Sequence, residues 1–224
     1  MKMSSLVSSK KLFSVNHSKA TKRIIDILSS CVAIIILSPV FIIISILIKL
    51  TGADVFFRQE RTGHNQEPFK LIKFTTMPKG SEKLGYITTA ADPRPTTLGR
   101  FLRKTKINEI PQLINVFMGD MSIIGPRPLL RVHAEIYPEN TRKKIYSMRP
   151  GLIGIGSLYF HHEDNLLASV DNPNQYYEEV IMPKKAELEL WYNQNWSVLL
   201  DIRLLLLSFL ILLGVKRKID LGSK

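Results

Sequence analysis

The chain has 224 residues and a formal net charge of +12, with one cysteine, Cys31. That length holds one domain of moderate size plus one membrane element and leaves little room for more. The charge asks for a polyanionic partner, whether nucleic acid, an acidic lipid surface or a phosphorylated substrate, and a lone cysteine excludes an intramolecular disulfide and a CxxC or zinc-ribbon site.

Residues 1–22 are rich in Ser, Lys and Val, carry no acidic residue and show no periodicity, so they read as a flexible basic tail drawn to anionic lipid. Residues 23–50 follow as an apolar run long enough to reach across a hydrocarbon core of about 30 Å. A secretory signal would have a shorter apolar core and a small-residue cleavage site, whereas this run leads into Lys49 and Thr51-Gly52-Ala53-Asp54. Ser38-Pro39 interrupts it near its middle, and proline removes an amide donor, which predicts a bend. Basic residues flank both ends, Lys19, Lys22 and Arg23 before and Lys49, Arg58 and Arg61 after, so the positive-inside rule puts both ends on one side. The pattern fits a re-entrant helix-break-helix hairpin and a proline-kinked spanning helix equally well.

Beyond the run, residues 55–57 and 69–74 predict two short strands joined at Gly63-His64-Asn65. Residues 81–97 mix Gly, Pro, Thr and Asp and read as a surface loop. A short helix is expected over 98–102. A second is expected from Asn108, with Pro111 in its first turn, Leu113, Ile114 and Phe117 as its apolar stripe and Gly119 as its stop. Gly125-Pro126-Arg127-Pro128 breaks regular structure, a further helix is expected over 129–137, Arg149-Pro150-Gly151 makes a turn, and residues 183–195 predict a helix opened by proline. The last apolar segment, 198–215, contains Asp201 and Arg203. Only twelve residues then run free of charge, too few to span a bilayer as a helix. With Trp191, Tyr192 and Trp196 before it and Lys216-Arg217-Lys218 after it, it reads as an interfacial helix, with a buried core helix as the plain alternative.

The chemistry-bearing stretch is Arg103-Lys104-Thr105-Lys106-Ile107-Asn108-Glu109-Ile110-Pro111-Gln112. Two polar side chains at an expected helix start, directly after a basic run, make an anion-binding position. With Lys73, Arg103 and Arg127 from separate segments they can build a pyrophosphate pocket, because the arginine fork binds phosphate oxygens in pairs. The plainer account is that Asn108 caps a helix and Glu109 is an ordinary first-turn acid. His161-His162 reads as a solvated loop rather than a metal site, since adjacent histidines diverge and no third ligand is evident.

Six motifs make the chain resemble the bacterial sugar transferases, the small monotopic phosphoglycosyl transferases. They are Lys22-Arg23-Ile24-Ile25-Asp26, Leu37-Ser38-Pro39, Phe57-Arg58-Gln59-Glu60-Arg61-Thr62-Gly63, Pro111-Gln112-Leu113-Ile114-Asn115-Val116, Gly119-Asp120-Met121-Ser122 and Gly125-Pro126-Arg127-Pro128. The resemblance runs from Lys22 to about Gly154 and resumes near Trp196-Ser197. It implies an α+β chain: a re-entrant membrane helix broken at Ser38 and Pro39 over 23–50, then a small, mostly helical domain over 51–224 with a short β-hairpin and interfacial amphipathic helices, on the cytosolic face of a bacterial inner membrane. It further implies magnesium (Mg2+), a UDP-sugar donor, an undecaprenyl phosphate acceptor, inner-membrane lipid as a partner and an initiating role in surface polysaccharide synthesis, with Lys73, Arg103 and Arg127 on the donor phosphates. A homodimer is among the candidate assemblies.

Members of that family attack the donor with the aspartate of an Asp-Glu pair. The pair here is Asn108-Glu109, and a neutral amide is a far weaker nucleophile and metal ligand than a carboxylate. Three readings follow: Glu109, also the expected metal ligand, takes over the attack; the two bound phosphates react directly; or the chain is catalytically impaired and acts as a membrane scaffold for glycan assembly. The family's Lys-Phe-Arg is Lys73-Phe74-Thr75 here, and the segment after Arg149-Pro150-Gly151 departs from the family through Ser157 to His161. A nucleic-acid binder is the remaining rival, but the basic residues lie among Gly and Pro turns with no recognisable helix-turn-helix, zinc or RNA-binding signature.

Overall fold

The computed structural model describes residues 19–81 and 92–215, so residues 1–18 of the expected basic tail, most of the 81–97 loop and the terminal Lys-Arg-Lys lie outside the described residues, while the last four positions of the tail belong to the first helix. Helix α1 spans Lys19–Leu50, 32 residues, or about 48 Å at 1.5 Å per residue. It is one helix, long and apolar enough to cross a membrane, and it continues through Ser38 and Pro39 where a break was expected. The local chemistry explains the continuity. Pro39 cannot donate to the Ile35 carbonyl, and the Ser38 hydroxyl donates to that carbonyl instead at 2.8 Å.

Both halves of α1 rest on the rest of the chain. Near its start, Lys22 pairs with Asp201 at 2.6 Å, Arg23 donates to the carbonyls of Val116 and Phe117, and buried Asp26 accepts from the Ser122 hydroxyl and the Ile123 amide, each at 3.0 Å. Near its end, Ile44 and Ile48 pack with Phe74 and Leu102. Ile24, Leu28, Val32, Ile35, Ile36, Ile42, Ile43 and Leu47 remain exposed.

Strands β1 (Phe56–Thr62) and β2 (Pro68–Phe74) pair antiparallel from Phe56 opposite Phe74 to Thr62 opposite Pro68. β1 is longer than the sequence predicted. Its second half, from Arg58 to Thr62, alternates polar with polar, so period-2 hydrophobicity is absent although the pairing is regular. Buried Asn115 accepts from the Ile72 amide and donates to the Lys70 carbonyl, covering the free edge of β2.

Helix α2 (Thr97–Lys104) is capped by the Thr96 hydroxyl, which accepts the Gly99 amide at 2.9 Å. A Cβ on Gly99 would lie 2.0 Å from the Thr76 carbonyl oxygen. This contact sets α2 against the end of β2. Gly99→Ala is therefore expected to cost about 1–3 kcal/mol of unfolding free energy in denaturant titration, because backbone rather than a flexible side chain must yield.

Asn108 and Glu109 lie in a 3-10 turn, Ile107–Glu109, and helix α3 starts only at Gln112 (Gln112–Met118). The expectation of one helix from Asn108 fails because Pro111 has no N–H for the Ile107 carbonyl. Ile110 takes that carbonyl in a tighter i−3 bond instead. Gly119, at φ 104, ends α3 as expected.

Strand β3 (Ser122–Ile124) runs parallel to β4 (Gly151–Ile153), a pairing the sequence did not reveal. Between them lie α4 (Arg131–Ala134) and α5 (Glu139–Ile145); the helix expected over 129–137 shrinks to four residues because Leu130 is extended, with ψ 148. After β4 come α6 (Ile155–Tyr159), α7 (Glu163–Ala168) and α8 (Pro173–Tyr176), then a π turn (Tyr177–Ile181) leading into α9 (Met182–Asn195) and finally α10 (Val198–Leu212). Asp201, read from the sequence as an interruption, ties three elements together. It accepts from Lys22 and the Tyr192 hydroxyl at 2.6 Å and from the Trp196 indole at 3.1 Å. On α10, Leu200, Leu204 and Ser208 are buried while Leu199, Ile202, Leu206 and Phe209 are exposed, so one helix has two apolar faces.

Candidate active site

The loop after β3 crosses β4 at contact distance. Gly125 donates to the Ile153 carbonyl, Gly151 to the Pro126 carbonyl, and a Cβ on Gly151 would fall 2.1 Å from the Gly125 nitrogen. Only glycine allows this approach. The crossing carries Arg127 out of the loop, where its guanidinium forks onto Glu109: Nη2 to Oε1 at 2.6 Å and Nη1 to Oε2 at 3.0 Å. The side chains keep 27% and 15% of their exposure, a mostly desolvated pair.

Around this pair lies a ring of cations. Lys73 projects from β2, Arg103 from the last turn of α2 and Arg61 from β1. Burial pushes the Glu109 carboxyl up, but Arg127, Lys73 and Lys106 outweigh it and hold the carboxyl well below the usual carboxylate range. Burial, helped by Arg61, Arg127 and Arg103 and opposed by Glu109, pushes the Lys73 amine down to about 7. Burial and the neighbouring Arg127 likewise lower Arg61 to about 10. A positive site with one committed carboxylate is short of negative charge.

Lys73, Arg103, Arg127 and Glu109, all singled out from the sequence, thus lie in one electrostatic neighbourhood. Arg61 was missed as a site residue although it stood in a quoted motif. Its inward direction depends on the strand register. Its Nη2 donates to Gln59 at 2.6 Å, and its buried Nε has no partner among the described residues. Asn108 does not cap a helix. It is 7% exposed with its Oδ1 unpartnered, and Gln112, one helical turn on, is wholly buried with neither amide atom partnered among the described residues. Such orphaned polar atoms mark room for a polar guest or water. Ser38 and Pro39 lie on α1, away from this cluster. His161 gives its Nδ1 to a contact with the Leu158 carbonyl and His162 is exposed; among the described residues no three His, Cys, Asp or Glu side chains group as metal ligands.

The lowered Lys73 amine has two consequences. Its charged form is penalised by the fold. That cost is full below pH 7 and is relieved as pH rises from about 7 towards the usual 10.5. An arriving anion raises the amine's pKa again, so inorganic pyrophosphate bound above pH 7 is expected to take up close to one proton. Calorimetry in two buffers of different ionisation heat measures this, and Lys73→Met should lose it.

Residues 17–214 match the model of the family described as bacterial sugar transferase. The chain is 35% identical to the uncharacterized sugar transferase EpsL of Bacillus subtilis (strain 168), over 84% of each chain. It is 34% identical to the exopolysaccharide production protein ExoY of Rhizobium meliloti (strain 1021), over 81% of this chain and 80% of that one. It is also 34% identical to the UDP-glucose:undecaprenyl-phosphate glucose-1-phosphate transferase of Escherichia coli (strain K12), over 84% of this chain but 39% of that longer protein.

Proposed function

Since the chain belongs to the bacterial sugar transferase family, we propose that it transfers a sugar 1-phosphate from a UDP-sugar to undecaprenyl phosphate, opening the synthesis of a surface polysaccharide. The observation that carries this reading is the ring of Lys73, Arg61, Arg103 and Arg127 around a single carboxylate. Such a ring suits two phosphorylated substrates brought together.

The chemistry follows from what each side chain can offer. Asn108 is an amide, and the Arg127 fork accepted by both oxygens of Glu109 draws off their negative charge, so both are weak nucleophiles. Direct transfer is the reading these contacts favour: an oxygen of the lipid phosphate attacks the phosphorus attached to the sugar, the pyrophosphate bridge breaks, and UMP leaves with the bridging oxygen. Arg127, Arg103 and Lys73 neutralise the phosphates, and Glu109 keeps the Arg127 fork oriented. Magnesium fits this donor set in the limited way it usually binds, through one or two protein oxygens plus substrate phosphates. Glu109 and the unpartnered Asn108 Oδ1 would hold it, and it would supply further neutralisation of the leaving group.

The exposed apolar stripes of α1 and α10 supply the membrane surface. Because both halves of α1 rest on the same domain, the topology we favour is a re-entrant one with both ends cytosolic, in which α1 bends at Pro39 without losing its helical pairing. In a Cys31→Ser background, single cysteines at Ser18 and Asp54 should label from the same side of sealed vesicles. Labelling from opposite sides would establish a spanning helix.

Incubation of the detergent-solubilised protein with undecaprenyl phosphate, magnesium and a panel of UDP-sugars tests the activity, with UMP release as the readout. Release that requires both the lipid and one UDP-sugar is expected. The scaffold reading is favoured by Asn108 alone, and absence of release with every donor would select it.

A further inference from the structure

Glu189 on α9 is 3% exposed and lies outside the phosphate-binding cluster. Its Oε1 accepts the Gly156 amide at 3.3 Å, the Arg127 amide faces the same carboxyl, and Oε2 has no partner among the described residues. The approach is close: a Cβ on Gly154 or Gly156 would come within 3.1 or 2.9 Å of Oε1. A buried carboxyl is costly, and an apolar side chain of similar size would ordinarily pack better there. Among the described residues no direct ion pair offsets the cost. Lys185, one turn earlier on α9, gives its ammonium to Glu163 at 2.5 Å and lies over the Tyr177 and Phe160 rings. Burial pushes the carboxyl up to about 7, outweighing Lys185 and the Arg127 guanidinium, which favour its charged form from a distance. Tyr137, Tyr146 and Tyr192 also feel its charge.

The two amides that meet Glu189 belong to the segments that follow the parallel strands, Arg127 in the loop after β3 and Gly156 in the first turn of α6 after β4. Backbone hydrogen bonds already join these segments, Gly125 to the Ile153 carbonyl and Gly151 to the Pro126 carbonyl, and Gly154 lies close to the Arg127 nitrogen, but these contacts hold the main chain and do not by themselves orient a side chain. We infer that Glu189 is a positioning residue: it pins the Arg127 amide against the start of α6 and thereby aims the Arg127 guanidinium at Glu109 and the donor phosphates. This rests on the reading of Arg127 as a phosphate-binding residue.

Three variants of the full chain in detergent test it: Glu189→Gln, which keeps a carbonyl oxygen for the amides, Glu189→Met, which keeps the volume and removes every acceptor, and Glu189→Met combined with Arg127→Ala. Hydrogen exchange by mass spectrometry and UDP affinity are the readouts. In Glu189→Met, exchange over residues 125–130 should rise and UDP binding should weaken about tenfold, while Glu189→Gln restores most of both. In the Arg127→Ala background, Glu189→Met should add nothing further to the loss of UDP affinity. Unchanged exchange over 125–130, or a loss of UDP affinity that adds fully to that of Arg127→Ala, overturns the inference. Failure of the natural chain to bind UDP would sink the proposed donor class instead, and the exchange result would still decide whether Glu189 holds the loop.

Discussion

Arg127→Ala is expected to reduce UMP release by about a hundredfold or more and to lower unfolding free energy by about 3 kcal/mol. The two losses share one cause. Glu109 keeps only 15% of its side-chain exposure, and removing the fork takes away both hydrogen bonds to its oxygens, a loss that the charges of Lys73 and Lys106 offset only in part. Breaking one side of a buried pair costs more than the pair contributed, because the remaining ion has left water without compensation. The estimate sits at the low end of that range because both partners keep some solvent contact. Arg127→Lys separates the effects: an ammonium restores the charge but not the planar fork, so it should regain much of the stability and little of the turnover. Chemical denaturation and initial rates on the same preparations measure both. Full activity in Arg127→Ala would remove Arg127 from the site.

Asn108→Asp is expected to raise UMP release by about tenfold or more, since it supplies a carboxylate where an amide oxygen now has no hydrogen-bond partner among the described residues. The surroundings favour the charged form. β2, which carries Lys73, packs against the Ile107–Glu109 turn, and Gln112 one turn away has an unpartnered amide group able to donate. A trapped sugar-phosphate adduct mapping to residue 108 in the variant, and to no residue in the natural chain, would establish that one substitution converts direct transfer into a covalent route. Glu109→Gln supplies the control. If Glu109 orients Arg127, the variant should lose most activity without an adduct ever having formed at that position, whereas an adduct on Glu109 in the natural chain would make it the nucleophile and refute direct transfer. An Asn108→Asp variant as inert as a silent natural chain would point to the departures at Thr75 and around His161.

Local chemistry made much of this protein legible in advance. The long apolar helix, the hairpin around Gly63 and the stop at Gly119 could be read because each depends on composition, periodicity or a motif within a few neighbouring positions, and the same kind of local signal singled out Lys73, Arg103, Glu109 and Arg127 as candidates. Even where the reading slipped, the reason was local: Ser38 offers its hydroxyl to the carbonyl that Pro39 leaves free, and Pro111 forces a 3-10 turn ahead of α3. What the tertiary structure decided is which distant groups meet. Arg61 joins the site only because the β1 register turns it inward. Asp201 becomes a tie because Lys22 stands 179 residues before it, and Glu189 reaches the Arg127 loop only because β3 and β4 pair across the intervening helices. An isolated carboxylate in a sequence looks the same whether it will be solvated, paired or buried with an orphaned oxygen, since its energy is set by partners that chain closure brings within hydrogen-bond reach and that no local pattern records.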